Sequence, residues 1–218
     1  MSITIRHIAK PVRKEINLPA SKSISNRVLI IQALCEKKFR IKNLSEADDT
    51  QYLLKALQSK NKTIDAGEGG TTFRFLMAYL ATQEGEWKLI GSKRLMQRPV
   101  TPLIDALKKI GASIEKKSTH YFIKGKQLPG GKLSIDAGIS SQFISALLLI
   151  APTMKNELQI TLNGKIVSSS YIDMTVELMR EFGIGVSVTD KMLTVTPGKY
   201  QPKDFTVEAD WSAASYFY

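Results

Sequence analysis

The sequence predicts an α/β fold built from repeated units, each running strand, helix, strand, helix and two further strands (βαβαββ). A segment that reads apolar, acidic and small begins at Ile64, Ile135 and Val207, 71 and 72 residues apart. A helical pattern that ends at Gly111 recurs 72 residues later and ends at Gly183. A period of this length indicates duplicated subdomains, and helices packed on repeating sheets make an α/β architecture.

The second and third units supply their elements in the same order, and an alternating hairpin closes each of them. The second unit is predicted to have a strand from residue 64, a helix at 71–80, a strand at 87–91, a helix at 101–110 and a hairpin at 113–124. The third is predicted to have a strand from residue 135, a helix at 142–150, a strand at 158–162, a helix at 172–182 and a hairpin at 185–196.

The first unit is shorter than these two. It opens with a predicted strand at residues 16–19 and has helices near 25–35 and 50–59. Only residues 60–63 separate its second helix from the next strand, which leaves no room for a hairpin.

A fourth unit begins with a predicted strand at residues 207–210 and a helix from Ser212, and it breaks off at Tyr218. A helix of about two turns gains little stability without packing partners, so we expect a truncated chain. The expectation is one complete domain of an expected two. Residues 1–20 would be a stub of the absent second domain, 21–206 the domain of three units, and 207–218 the start of the second domain.

Composition argues against several classes of protein. The chain has 218 residues, 43% of them hydrophobic, and no run approaches the roughly 18 apolar residues of a membrane span. The N-terminus lacks the features of a secretory signal, so we expect a cytoplasmic protein without a membrane partner. A single cysteine, Cys35, permits no intrachain disulfide, and His7 and His120 lack partners at metal-ligand spacing, so we expect no metal.

The net charge of +11 favours an anionic ligand, a nucleic acid or an acidic partner. A solvated basic face would explain the same number, because several lysine pairs fall at predicted helix ends and hairpin arms. Charge alone therefore does not choose between these interpretations.

Hydroxyl groups and cations cluster where predicted strands lead into helices, at segments 18–27, 91–99, 140–142 and 168–171. A helix start offers free N–H groups and a positive dipole end, which suit phosphate. Arg94 and Arg98 lie four residues apart, and guanidinium groups bind carboxylates and phosphates through paired hydrogen bonds. Ordinary helix capping and exposed cations are the alternative interpretation.

A glycine-rich loop at residues 67–70 lets the backbone approach a ligand closely. Its spacing matches neither the P-loop nor the dinucleotide fingerprint, so ATP and NAD are disfavoured and we expect no cofactor. Since loops after equivalent strands gather at one end of a repeated domain, the clusters should converge on one basic, hydroxyl-lined pocket. A phosphorylated polyol fits such a pocket best.

Five motifs resemble the signatures of the 5-enolpyruvylshikimate-3-phosphate synthase family, in the family's order. They are residues 21–27 (SKSISNR), 69–74 (GGTTFR), 94–99 (RLMQRP), 140–148 (SSQFISALL) and 171–175 (YIDMT). The resemblance spans residues 16–218 and implies an enolpyruvyl transferase-like fold, with two domains of three units each. It also implies transfer of the enolpyruvyl group from phosphoenolpyruvate to the 5-hydroxyl of shikimate 3-phosphate, by a monomer.

The resemblance implies a set of binding residues for each substrate. Those for shikimate 3-phosphate would be Lys22, Ser23, Arg27, Ser140, Ser141, Gln142, Ser168 and Tyr171. Those for phosphoenolpyruvate would be Lys22, Gly70, Arg94 and Gln142, with Arg74 and Arg98 in support. Gly70 would be glycine because a side chain would crowd the ligand.

The resemblance assigns no catalytic acid or base to this half; both are expected beyond residue 218, so this chain would anchor substrates and not turn them over alone. Glu68 departs from the family, which often has a neutral residue there. Its carboxylate would repel a phosphate unless it points away or pairs with Arg74 or Lys93.

Two other functions stay open. The UDP-N-acetylglucosamine enolpyruvyl transferases share the repeats and the reaction but carry a reactive loop cysteine, whereas Cys35 falls in an apolar helix. A non-catalytic anion- or nucleic-acid-binding module would explain the charge through phosphate contacts. Such a module needs exposed stacking aromatics, whereas Phe73, Phe143 and Phe217 are predicted to point into the core, so we expect no nucleic-acid partner.

Overall fold

The computed structural model describes residues 15–136, 138, 140–164 and 168–217. The helices are α1 (Lys22–Leu34), α2 (Asp48–Gln58), α3 (Gly70–Thr82), α4 (Lys93–Met96), α5 (Thr101–Lys109), α6 (Ser141–Ile150), α7 (Ser169–Glu181) and α8 (Trp211–Ala214). The strands are β1 (Ile41–Lys42), β2 (Thr63–Asp65), β3 (Gly85–Ile90), β4 (Ser113–Lys116), β5 (Tyr121–Gly125), β6 (Gly131–Asp136), β7 (Leu158–Asn163), β8 (Val186–Val188), β9 (Met192–Val195) and β10 (Phe205–Thr206).

The repeat appears as two four-stranded sheets of identical topology. Their strand orders are β2-β3-β5-β4 and β6-β7-β9-β8. In each sheet the first pair is parallel and the other two pairs are antiparallel. The prediction of an α/β fold with repeated βαβαββ units is therefore confirmed for the second and third units.

The first unit differs from the prediction. Its middle strand β1 pairs in parallel with β10, which lies 164 residues further along the chain, with Ile41 opposite Phe205. The strands expected at 16–19 and 207–210 are reduced to one antiparallel bridge between Ala20 and Ala209. A longer ladder is prevented at Pro19, which has no N–H to donate and only accepts from Asp210 N at 2.8 Å.

Helices form the centre of the domain and the sheets cover it. Nine of the ten residues of α6 are buried, as is every residue of α1 from Ile24 to Ile31. A helix that is buried on nearly all sides belongs to a core, and α1, α3 and α6 contact one another there. The sheet strands alternate between buried and exposed residues, as in the pattern of β7, so one face of each sheet packs on the helices.

The longest helices of the described segments have 13 residues, and none of them is long and apolar enough to span a membrane.

Candidate functional site

A cleft of about 400 Å³ lies where α1, α6 and α7 begin. The eight residues predicted to bind shikimate 3-phosphate all line it, together with Thr71 and Gly138: Lys22, Ser23, Arg27, Ser140, Ser141, Gln142, Ser168 and Tyr171. The repeat therefore brings distant helix starts to one place, and their free N–H groups favour an anion there.

Two hydroxyls at these helix starts serve as caps. Ser21 Oγ accepts from Ile24 N at 3.4 Å, and Ser140 Oγ accepts from Gln142 N at 3.2 Å. The capping interpretation is thus right for Ser140, although its hydroxyl hydrogen can still be donated to a ligand. Ser168 precedes α7 without a side-chain capping bond and has the left-handed φ of 61°, a strained conformation for a residue with a Cβ.

Arg27 is a buried cation without a counter-ion. It is 2% exposed, yet among the described residues it forms no ion pair. Burial lowers the pKa of its guanidinium to about 10, partly offset by Tyr171, so the group stays charged at neutral pH. A buried charge is costly unless it is hydrogen-bonded or paired, and an anionic ligand would supply the missing pair.

Lys22 lies at the rim of the cleft. Its Nζ is 3.0 Å from Asp49 Oδ2, and its side chain is 47% exposed. The start of α3 fixes Asp49, because Thr72 Oγ1 donates to the Asp49 carbonyl oxygen at 2.6 Å. The sequence prediction included Lys22 but missed Asp49, whose only signal was its place in the first turn of α2.

A second cleft of about 380 Å³ is lined by Glu68, Ser92, Arg94, Leu95 and Arg98. Of the four residues predicted for phosphoenolpyruvate, this cleft therefore holds Arg94, whereas Lys22 and Gln142 line the first cleft. Glu68 is exposed, and in the described part of the chain it pairs with neither Arg74 nor Lys93.

Arg74 supports the second cleft from within the protein. Its Nη1 donates to the Gly70 carbonyl oxygen at 2.7 Å, and its guanidinium lies 5.2 Å from the centre of the Phe143 ring. Burial and, to a lesser extent, the charge of Arg98 together lower the pKa of Arg74 to about 10. Its buried Nε finds no hydrogen-bond acceptor among the described residues.

The structure shows that protein side chains leave little room for a side chain at Gly70; the predicted crowding of a ligand stays a prediction. A Cβ at this position would lie 2.7 Å from Nη1 of Arg74 and 2.7 Å from Nη1 of Arg98. The space beside the Gly70 backbone is therefore occupied by two guanidinium groups of the protein itself. Sequence reasoning could not show this, because the three residues meet only after α3 and the segment following α4 have packed.

The fold and the clefts together define a repeat-built α/β domain with two clefts that are lined by basic and hydroxyl side chains. A family model described as EPSP synthase (3-phosphoshikimate 1-carboxyvinyltransferase) matches residues 7–62 and 56–218. The chain belongs to the EPSP synthase family. The resemblance of its five motifs is thereby confirmed.

Relatives and solved structures agree with this family. A 3-phosphoshikimate 1-carboxyvinyltransferase of Bacteroides fragilis (strain YCH46) is 47% identical over 212 residues, which are 95% of this chain and 52% of the relative. One of Photobacterium damsela subsp. piscicida is 37% identical over 249 residues, covering 99% of this chain and 58% of the relative. An EPSP synthase structure from Acinetobacter baumannii has the same fold, with a TM-score of 0.81 at 21% identity, over 93% of this chain and 51% of that one. The chain spans about half the length of the curated relatives it matches.

Proposed function

We propose that this chain is the substrate-anchoring half of a 3-phosphoshikimate 1-carboxyvinyltransferase, which transfers the enolpyruvyl group of phosphoenolpyruvate to the 5-hydroxyl of shikimate 3-phosphate. The observation that carries the proposal is Arg27, a buried cation without a carboxylate partner, in a cleft lined by all eight predicted residues. The family and the names of the relatives support the same reaction.

Shikimate 3-phosphate is assigned to the first cleft, where Lys22 and Arg27 supply positive charge and the serines supply hydroxyl donors. Phosphoenolpyruvate is assigned to the region between the two clefts, since Lys22 and Gln142 line the first cleft and Arg94 lines the second. Two anions held side by side by fixed cations would bring the reacting atoms together, which is a large part of catalysis in a two-substrate reaction.

The reaction also needs proton transfers, to the methylene carbon of phosphoenolpyruvate and from the attacking hydroxyl. Among the described residues, Glu68 is the carboxylate that lines a cleft, the second one. Asp49 is paired with Lys22, and Asp136 accepts from Gly138 N at 2.8 Å. We assign the general acid and base to the part of the relatives that this chain does not span. The role proposed for this chain is therefore binding and electrostatic stabilisation.

The two alternative functions find no specific support. The Sγ of Cys35 lies 3.7 Å from the Tyr200 carbonyl oxygen, and burial raises its thiol pKa, so it is not activated as a nucleophile. Phe73 and Phe143 are buried as predicted, but Phe217 is 59% exposed, because the short helical turn that contains it has few packing partners among the described residues. The cytoplasmic location and the monomeric state stay predictions.

Calorimetric titration of the 218-residue chain tests the proposal through Lys22→Ala. We expect the parent chain to bind shikimate 3-phosphate with a dissociation constant on the order of millimolar, and the variant to bind about tenfold more weakly, the usual effect of one charged hydrogen bond. The ion pair with Asp49 is exposed, so the free energy of unfolding should change by less than about 1 kcal/mol. Absence of heat from the parent chain at millimolar ligand, or phosphate release by the chain alone, would contradict the proposal.

Gly70→Ala should weaken the binding of phosphoenolpyruvate. The added methyl group must displace the exposed Arg98 or the buried Arg74, so we expect weaker binding of phosphoenolpyruvate, by about tenfold, and a loss of about 1–3 kcal/mol in unfolding free energy. Gly185→Ala is the matched control, since a Cβ there meets nothing within 4 Å. Equal phosphoenolpyruvate affinity in both variants would refute the role of the two arginines.

A further inference from the structure

Two fully buried hydroxyl groups contact the Arg27 guanidinium. Arg27 Nε donates to Thr175 Oγ1 at 2.7 Å, and Arg27 Nη2 donates to Ser145 Oγ at 3.1 Å. Both hydroxyl residues are 0% exposed, and neither lines the cleft. They therefore cannot contact a ligand directly. Because burying a polar group costs free energy, their presence in the core points to another role.

The hydrogen positions in this cluster follow from the acceptors. Thr175 Oγ1 lies 2.7 Å from the Tyr171 carbonyl oxygen, and the two hydroxyl oxygens are 2.8 Å apart. A carbonyl oxygen can only accept, and Ser145 Oγ lies further from that of Tyr171, at 3.4 Å, than Thr175 Oγ1 does. The shorter distance favours donation from Thr175 to Tyr171 and from Ser145 to Thr175. Both hydroxyl oxygens keep lone pairs for Arg27, whose N–H groups can only donate.

The neutral acceptors leave one N–H group of the Arg27 guanidinium without a hydrogen bond among the described residues. The carbonyl oxygens of Ser23 and Tyr171 accept from Nη1 at 2.8 Å and from Nη2 at 3.1 Å. With the two hydroxyls they engage four of the five N–H groups of the guanidinium. The fifth, on Nη1, has no acceptor in the described part of the chain, and Arg27 is one of the residues lining the cleft.

We propose that Ser145 and Thr175 are positioning residues for the anion site. They hold the charged guanidinium of Arg27 in one orientation with neutral acceptors, so that its charge and its remaining Nη1 hydrogen serve the bound substrate. A carboxylate in their place would fix the guanidinium equally well, but it would neutralise the cation and repel an anionic ligand. The role in binding rests on the proposed function, whereas the hold on Arg27 does not.

The sequence signal for this role is helical spacing. Ser145 follows the cleft residue Ser141 by four positions on α6, and Thr175 follows Tyr171 by four positions on α7. Residues four apart share a helix face, so each hydroxyl lies one turn below a residue of the cleft.

Thr175→Val tests the proposal in the full 218-residue chain, because it keeps the shape of the side chain and removes the acceptor. We expect shikimate 3-phosphate to bind about tenfold more weakly, and the Nε–H resonance of Arg27, assigned by its loss in Arg27→Lys, to shift and exchange faster with solvent. Thr175→Ser returns the hydroxyl and should restore both readouts. Ser145→Ala should also weaken binding and shift the Nε–H resonance of Arg27.

Thr153→Val is the matched control. Thr153 Oγ1 also donates to a helix carbonyl, that of Ile150 at 2.8 Å, at the end of α6 opposite the cleft. Thr153→Val should leave the affinity for shikimate 3-phosphate and the Nε–H resonance of Arg27 unchanged. If Thr175→Val folds and keeps the parent affinity and Nε–H exchange, the positioning role is wrong. If the parent chain binds no shikimate 3-phosphate, the proposed function fails, and the Nε–H exchange of the unliganded variants still decides whether the hydroxyls hold Arg27.

Discussion

Arg27→Met is expected to abolish detectable binding of shikimate 3-phosphate by this chain. Among the described residues, Arg27 is the cation that is buried in the cleft without a counter-ion, and the substitution removes a charged hydrogen bond and the long-range attraction for the phosphate. Because the low-dielectric surroundings strengthen that attraction, a loss of about 100-fold or more is expected. Calorimetric titration up to millimolar ligand measures it.

The same substitution should hardly affect stability, which separates binding from folding. A methionine has no charge to desolvate, and this gain offsets the four hydrogen bonds that Arg27 loses. Thr175 and Ser145 keep their hydrogen bonds to Tyr171 and to each other. The urea midpoint should therefore stay close to that of the parent. If Arg27→Met still binds shikimate 3-phosphate, Arg27 is not part of the binding site.

Gly125→Ala is expected to destabilise the chain more than any other substitution described here. Gly125 ends β5 against the last turn of α3, and a Cβ there would lie 1.8 Å from the Gln83 carbonyl oxygen and 2.4 Å from that of Leu80. Both obstacles are backbone atoms, and Lys126 N donates to the Ala81 carbonyl oxygen at 3.1 Å, so neither segment can move freely. We expect a loss of about 3 kcal/mol or more in unfolding free energy.

Urea denaturation followed by circular dichroism tests this expectation. Gly185→Ala is again the control, because an added Cβ meets nothing there and alanine restricts the unfolded chain, which should leave stability unchanged or raise it by up to about 1 kcal/mol. Coincident unfolding curves for Gly125→Ala and the parent would show that β5 and α3 are not in such close contact.

The elements set by local pattern could be predicted from the sequence. The helices ending before Gly111 and Gly183 appear as α5 and α7, since glycine in the left-handed conformation ends each of them, with φ of 96° and 83°. The repeat also placed distant helix starts beside one another, which is why all eight residues assigned to shikimate 3-phosphate line one cleft.

Features set by tertiary packing could not be predicted in this way. Arg27 and Thr175 lie 148 residues apart and meet only when α1 packs on α7. The guanidinium groups around Gly70 come from α3 and from the segment that follows α4. At residues 16–19 the predicted strand is missing because the main chain forms only a single bridge there, between Ala20 and Ala209. The 71- to 72-residue repeat does not predict these contacts between distant residues.

The pairing of β1 with β10 affects the order in which a nascent chain can fold. The second and third units close from residues that are near in sequence, whereas Ile41 must wait for Phe205. At the usual 5–20 residues per second, a ribosome needs on the order of ten seconds or more to synthesise the intervening segment. During that interval the edge of β1 has no partner from β10, so we expect the first unit to stay exposed to non-native strand pairing for longer than the second and third units.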